Sequence, residues 1–172
     1  MKATKLVTFI AIISIAVIAP AQQPAPTKPI APLAWLIGGT WTADASNLAP
    51  GMQRIETRYT WSDNGSYIRF TTHFVSTQGT FKNYDGSFFF DPAGKTLAMW
   101  YMDAGGGITQ GLMTIQGDLW QMSFHGPDFE GKPADLQVNV LRKSNDLYHW
   151  SVSEKDGDTW KKLLELDYAR KP

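Results

Sequence analysis

The chain contains no cysteine. That excludes disulfides, thiol catalysis, cysteine-held metal or iron–sulfur centres, and lipid attachment to a cysteine behind a leader segment. Histidine is scarce as well, with three residues in 172. Beyond the N-terminus no apolar run approaches the roughly 20 residues that a membrane-spanning helix requires. Neither sign of charge is in excess, with 16 basic and 16 acidic residues. The basic residues are scattered, whereas a nucleic-acid surface needs them clustered, so nucleic acid is excluded as a partner. No G-x-S-x-G or H-E-x-x-H motif occurs, and no carboxylate pair has a recognisable catalytic spacing. Gly105-Gly106-Gly107 lacks the helix and lysine of a phosphate loop, and Asp156-x-Asp158 is too short for a calcium loop. The sequence therefore gives enzymatic activity no positive support.

The N-terminus has the three parts of a secretory signal. Lys2 and Lys5 precede an apolar or small run from Leu6 to Ile18, followed by Ala19-Pro20-Ala21, an A-x-A-type cleavage site. Cleavage after Ala21 is expected, with export to the periplasm or the medium and no stable membrane insertion afterwards; an uncleaved anchor is the alternative. Residues 22–32, QQPAPTKPIAP, are expected to be an extended Pro-rich tether with too little apolar surface to bury. Residues 33–172 then form one domain, of a length that buries about two thirds of its unfolded surface. Without the leader, 14 basic residues face 16 acidic ones.

What fills that domain is a succession of short alternating segments rich in aromatics, each closed by a turn signal. Ile55-x-Thr57-x-Tyr59-x-Trp61 precedes Asp63-Asn64-Gly65, Trp120-x-Met122-x-Phe124 follows Gly117-Asp118, and Tyr148-x-Trp150-x-Val152 precedes Asp156-Gly157. The pattern predicts an all-β protein, an antiparallel up-and-down barrel of about ten strands with one short helical turn at residues 32–37. Separate strands are expected over 80–85 and 87–91, on either side of Gly86.

Turn chemistry predicts pairing. A two-residue type I′ turn at Asn64-Gly65 sets Trp61 opposite Ile68, Tyr59 opposite Phe70, Thr57 opposite Thr72 and Ile55 opposite Phe74, with Glu56 and His73 together on the other face. A tight turn at Gly117-Asp118 sets Ile115 opposite Trp120, Met113 opposite Met122 and Gly111 opposite Phe124. For the last hairpin, a three-residue loop with Gly157 left-handed sets Val152 opposite Trp160 and Tyr148 opposite Leu164.

The inward set this defines is Tyr59, Phe70, Phe74, Met113, Trp120, Met122, Phe124, Trp150, Leu164 and Tyr168. Such residues either fill a solid core or wall a pocket for a small, largely hydrophobic molecule, and both readings stay open. Arg142 shares a face with Val138 and Val140 and comes beside Tyr148. Together they are placed to orient an anionic or carbonyl group near the barrel mouth, unless Arg142 reaches water at the rim. His73 and His149 fall on outward faces. His125 opens the loop HGPDFEGKP, where a haem or metal ligand is most readily placed. No metal site is assigned.

Gly39-Thr40-Trp41 at the first strand and Arg170 at the end of the last resemble the calycin superfamily of lipocalins and fatty-acid-binding proteins. There, a tryptophan near the start packs on an arginine from the closing strands; Trp41 and Arg170 are the matching positions. The stretches LAWLIGGTW, YDGSFFFDPAGKTLAMWYMDAGGG and WKKLLELDYAR resemble exported bacterial calycin-like domains of nitrobindin-like appearance, over nearly all of residues 33–170. The resemblance implies a ligand-binding barrel and, in its nitrobindin form, haem held by a histidine. The fatty-acid clamp of the superfamily is Arg-x-Tyr, and Tyr168-Ala169-Arg170 reverses it. Three readings follow: a pocket for an apolar molecule with no cofactor, a haem barrel, and a solid-cored interaction domain with an apolar outer patch.

Overall fold

A computed structural model describes residues 28–127 and 131–172. The expected leader, most of the Pro-rich segment and part of the HGPDFEGKP loop lie outside the described residues. A 3-10 helix, Ala31–Leu36, is followed by ten strands: β1 (Thr40–Asp44), β2 (Met52–Trp61), β3 (Ile68–Ser76), β4 (Gly79–Asp91), β5 (Thr96–Asp103), β6 (Ile108–Gln116), β7 (Leu119–Pro127), β8 (Pro133–Arg142), β9 (Leu147–Asp156) and β10 (Thr159–Lys171). Every pair is antiparallel, each strand lies beside its sequence neighbours, and β1 meets β10 to close the barrel. The all-β, ten-stranded, up-and-down fold is the one the alternation predicts.

Two of the three hairpins have the expected register. β2 and β3 pair Trp61 with Ile68, Tyr59 with Phe70, Thr57 with Thr72 and Ile55 with Phe74. β6 and β7 pair Ile115 with Trp120, Met113 with Met122 and Gly111 with Phe124. The first turn nevertheless differs from expectation. Asn64 is not at positive φ, as a type I′ turn requires; Gly65 alone is left-handed, at φ 62°. The Gly65 N–H bonds to the Ser62 carbonyl, and the Ser62 N–H closes the loop onto the Tyr67 carbonyl. This wider loop is symmetric about the same centre, so the register survives.

The last hairpin is displaced. Gly157 is left-handed, but the loop is only Gly157-Asp158, and a bulge at Leu163 shifts the pairing. Tyr148 faces Tyr168 rather than Leu164, Val152 faces Leu164 rather than Trp160, and Trp160 is exposed on the outer face. The displacement is even, so Leu164, Leu166 and Tyr168 keep their inward face.

Gly86 does not divide two strands; it lies inside β4. A Cβ there would sit 2.4 Å from Phe70 Cζ and 2.5 Å from the Trp100 carbonyl oxygen, so the glycine makes room for the Phe70 ring rather than breaking the ladder.

The fold also begins earlier than the tether reading allows. Ile30 is buried, and Lys28 Nζ donates to the carbonyls of Asn64 and Gly65. The 3-10 helix carries Pro32 in its first turn, where a missing N–H costs nothing, and it buries Leu33 and Leu36. It packs across one end of the barrel. That end also holds the β2–β3, β4–β5, β6–β7 and β8–β9 turns and the C-terminus. The β1–β2, β3–β4, β5–β6 and β9–β10 connections lie at the opposite end.

A candidate ligand cavity inside the barrel

The helix plugs its end with aromatic rings. Trp35 meets Trp41, Trp120 and Tyr148 at centroid distances of 5.4, 5.1 and 5.8 Å. Trp41 is wholly buried, and its Nε1 donates to the Leu36 carbonyl at 2.8 Å. Outside this layer, the Arg170 guanidinium lies 4.5 Å from the Trp41 ring, the partner expected for it. It donates to the carbonyls of Ile37 (2.6 Å), Gly38 (3.0 Å) and Asn145 (2.7 Å), and to that of Trp35. Its Nε is 3.0 Å from Asp146 Oδ1, close enough for an ion pair but out of line for a hydrogen bond. One arginine thus ties the helix, the β8–β9 turn and the last strand together.

Above the plug the barrel is hollow, with a cavity of about 1310 Å³. Every sequence-predicted site residue except Met113 and Arg142 lines it: Tyr59, Phe70 and Phe74 from β2 and β3, Trp120, Met122 and Phe124 from β7, and Tyr148, Trp150 and Tyr168 from β9 and β10. Met113 is fully buried beside Met122 and outside the cavity wall. Arg142 is opposite Tyr148 in register, as expected, but it is not at the mouth. Its guanidinium stacks 5.0 Å from the Trp35 ring on the sealed end and donates to Asn145 Oδ1. The reason is position along the strand: Arg142 ends β8 at the plugged end, and Trp35 stands between its charge and the lumen.

Sequence reasoning missed a second wall. Tyr84 and Phe88 on β4 and Met99, Tyr101 and Asp103 on β5 also line the cavity. Their alternation is visible in Tyr84-x-Gly86-x-Phe88 and Met99-x-Tyr101-x-Asp103, but splitting the strand at Gly86 hid it. It likewise missed the β1–β2 loop, whose Asn47, Leu48 and Ala49 reach the cavity.

That loop marks the opening. β1 joins β10 through only three positions, Thr40 to Lys171, Trp41 to Arg170 and Thr42 to Ala169, whereas from Thr159 to Tyr168 β10 pairs with β9 alone. Leu48 and Ala49 on one side and Lys162 on the other are exposed and also line the cavity. The cavity therefore meets solvent there.

Apart from Asn47 and the charged side chains that border it, the cavity's polar side chains are mainly hydroxyls. Thr57 Oγ1 and Thr72 Oγ1 are 2.9 Å apart, and the Tyr59 and Tyr148 hydroxyls meet at 3.3 Å across the lumen. Tyr148 and Tyr168 stack in parallel at 4.8 Å. Burial pushes the phenols of Tyr84, Tyr101, Tyr148 and Tyr168 up, and that of Tyr59 up to about 12. Tyr59 retains exposed area because it faces the void, but its surroundings are dense enough to disfavour the phenolate.

None of the histidines lines the cavity. His125 Nδ1 bonds Asp135 at 2.9 Å, His149 Nδ1 bonds Asp167 at 2.9 Å, and His73 faces Glu56 in register, although that carboxylate bonds Arg54. The donor set inside the barrel therefore does not fit histidine-held haem. Among the described residues no group of three His, Asp or Glu is placed to hold a metal ion.

No protein-family model matches the chain, and no curated protein matches it. Among solved structures, the crystal structure of Rv2717c from M. tuberculosis is similar, with a TM-score of 0.54 and 13% identity over 87% of this chain and 100% of that chain. At that identity the likeness is one of fold.

Proposed function

We propose that the protein is an exported barrel of calycin type that holds a small, largely apolar molecule in its interior without covalent attachment. The observation that carries this reading is the cavity of about 1310 Å³, walled by aromatic and aliphatic side chains and open at one end. Small-molecule pockets of roughly 300–1,000 Å³ bury most of a ligand against such walls. The inward-facing positions that chain alternation would pack solid instead stay half-buried, because they border this space: Phe70, Phe74, Tyr101 and Trp150 all do so. Trp41 and Arg170, stacked at the closing seam, support the calycin reading, and the apolar run behind Lys2 and Lys5 supports export.

Haem is the weaker reading, since its histidine would have to come from outside the wall. A solid core is disfavoured by the cavity, although Trp100, Met102, Ile108 and Leu112 do expose apolar surface on β5 and β6.

The test is uptake by protein stripped of bound lipid. An environment-sensitive apolar fluorophore should bind in a saturable manner with about one site per chain, and enlarging Leu48 to Trp at the opening should slow its entry. Absence of saturable uptake by the stripped protein would refute the reading. A Soret band in protein purified from its host would put haem in its place.

A further inference from the structure

The cavity's chemistry narrows what it holds; this inference rests on the binding reading above and specifies its ligand class. Charged side chains border the cavity at Asp44, Asp103, Lys162, Glu165 and Asp167. The single cation among them is already engaged, with Lys162 Nζ 2.6 Å from Glu165 Oε2. No arginine among the described residues lines the cavity, and at its plugged end Arg142 and Arg170 each stack on an indole ring, Trp35 and Trp41. Among the described residues that line the cavity, a carboxylate or phosphate moved into this barrel would meet no free positive charge, and it would face carboxylates at the rim. An unpaired ion in such surroundings loses hydration that nothing replaces.

The deep polar locus is of another kind. Tyr168 is 7% exposed, lines the cavity, and its hydroxyl has no hydrogen-bond partner among the described residues. Beside it the Tyr59 and Tyr148 hydroxyls satisfy one another across the lumen, which leaves lone pairs and one proton for a third group. Burial keeps these phenols protonated throughout the physiological range. They are neutral donors in an apolar shell, suited to an oxygen that carries no full charge.

We propose that the cavity selects an uncharged apolar molecule bearing a carbonyl or hydroxyl oxygen, which accepts a hydrogen bond from Tyr168 beside the Tyr59–Tyr148 pair. The carbonyl end lies deep, next to the aromatic plug, and the hydrocarbon runs towards the β1–β2 loop. Carboxylates of the same length are excluded by the missing cation.

The experiment is a calorimetric titration of the stripped full-length protein with a chain-matched series: a long-chain methyl ketone, the primary alcohol, the carboxylic acid and the alkane. Near neutral pH the ketone and alcohol should bind about tenfold or more tightly than the acid and the alkane. The acid should gain affinity as the pH is lowered through its own pKa, a readout that needs no variant. Tyr168→Phe should bring the ketone down about tenfold, to the level of the alkane, while alkane binding is unchanged; that unchanged value also shows the variant is folded. An acid that binds at neutral pH as well as the ketone overturns the inference but leaves the binding cavity standing, as does equal affinity for ketone and alkane. Failure of the whole series to bind overturns the cavity reading itself.

Discussion

The two ends of the barrel are made from the same strands and the same alternation, yet one is solid and the other hollow. At the plugged end the inward residues Trp41, Trp120, Ile68 and Met113 are nearly inaccessible; midway and beyond, Tyr59, Phe70, Phe74 and Trp150 are half-buried although they point the same way. Two differences account for this. The 3-10 helix supplies Leu33, Trp35 and Leu36 to one end only, and the β1–β10 seam is three pairs long, so the wall parts where β1 ends. Interior character in this fold therefore depends on what caps each end, not on how apolar the strands are.

Truncation at the two ends tests that contrast most sharply. Trp41→Ala removes a ring in contact with Trp35, Tyr148 and Arg170, and the expected loss is about 3–5 kcal/mol in urea unfolding. A loss below about 1 kcal/mol would show that the plug does not hold the barrel together.

High pH should reveal the interior tyrosines next. Their folded pKa values are raised by burial above the ordinary 10.0, with Tyr59 at about 12, so the folded chain holds protons that the unfolded chain releases. Their contribution is complete below pH 10 and falls as the pH rises through the folded values, by roughly 1.4 kcal/mol per pH unit for each such tyrosine. Denaturant midpoints that stay flat between neutral pH and about pH 11 would contradict this burial.

Gly86→Ala is expected to cost about 1–3 kcal/mol, because the added Cβ meets both a ring and a backbone oxygen that does not yield. Phe70→Leu in the same chain should recover part of the loss, and a purely additive double mutant would place the clash elsewhere.

The smallest effect belongs to the open end. Phe74→Ala should cost only about 1 kcal/mol, because the ring already borders empty space, while altering uptake of the apolar fluorophore. If that truncation destabilised the chain as much as Trp41→Ala, the open end would be packed rather than hollow.

Much of this was legible before the structure. Period-two alternation together with Asn64-Gly65 and Gly117-Asp118 located two hairpins to the residue, even though the first turn has a different shape, because register depends on the centre of a loop and not on its type. The last hairpin was displaced mainly because its loop is Gly157-Asp158 rather than Lys155-Asp156-Gly157, and a bulge at Leu163, which leaves no mark in a run such as Lys161-Lys162-Leu163-Leu164, moves the pairing one residue further. Tyr84 and Tyr101 escaped notice because Gly86 reads as a break unless the ring of Phe70, sixteen positions away in the chain, is known to need its space. Arg142 was paired correctly with Tyr148 and still assigned to the wrong end, since pairing says nothing about which end is plugged.

The sequence by itself determined the all-β barrel, most of its strands and the register of the β2–β3 and β6–β7 hairpins, because those follow from local periodicity and turn chemistry. Only the tertiary structure decided that the lumen is open, that Arg142 and Arg170 lie outside it and that the Tyr168 hydroxyl has no partner within it among the described residues. Those properties depend on how rings from distant strands meet across an enclosed volume, and no local pattern encodes that distance.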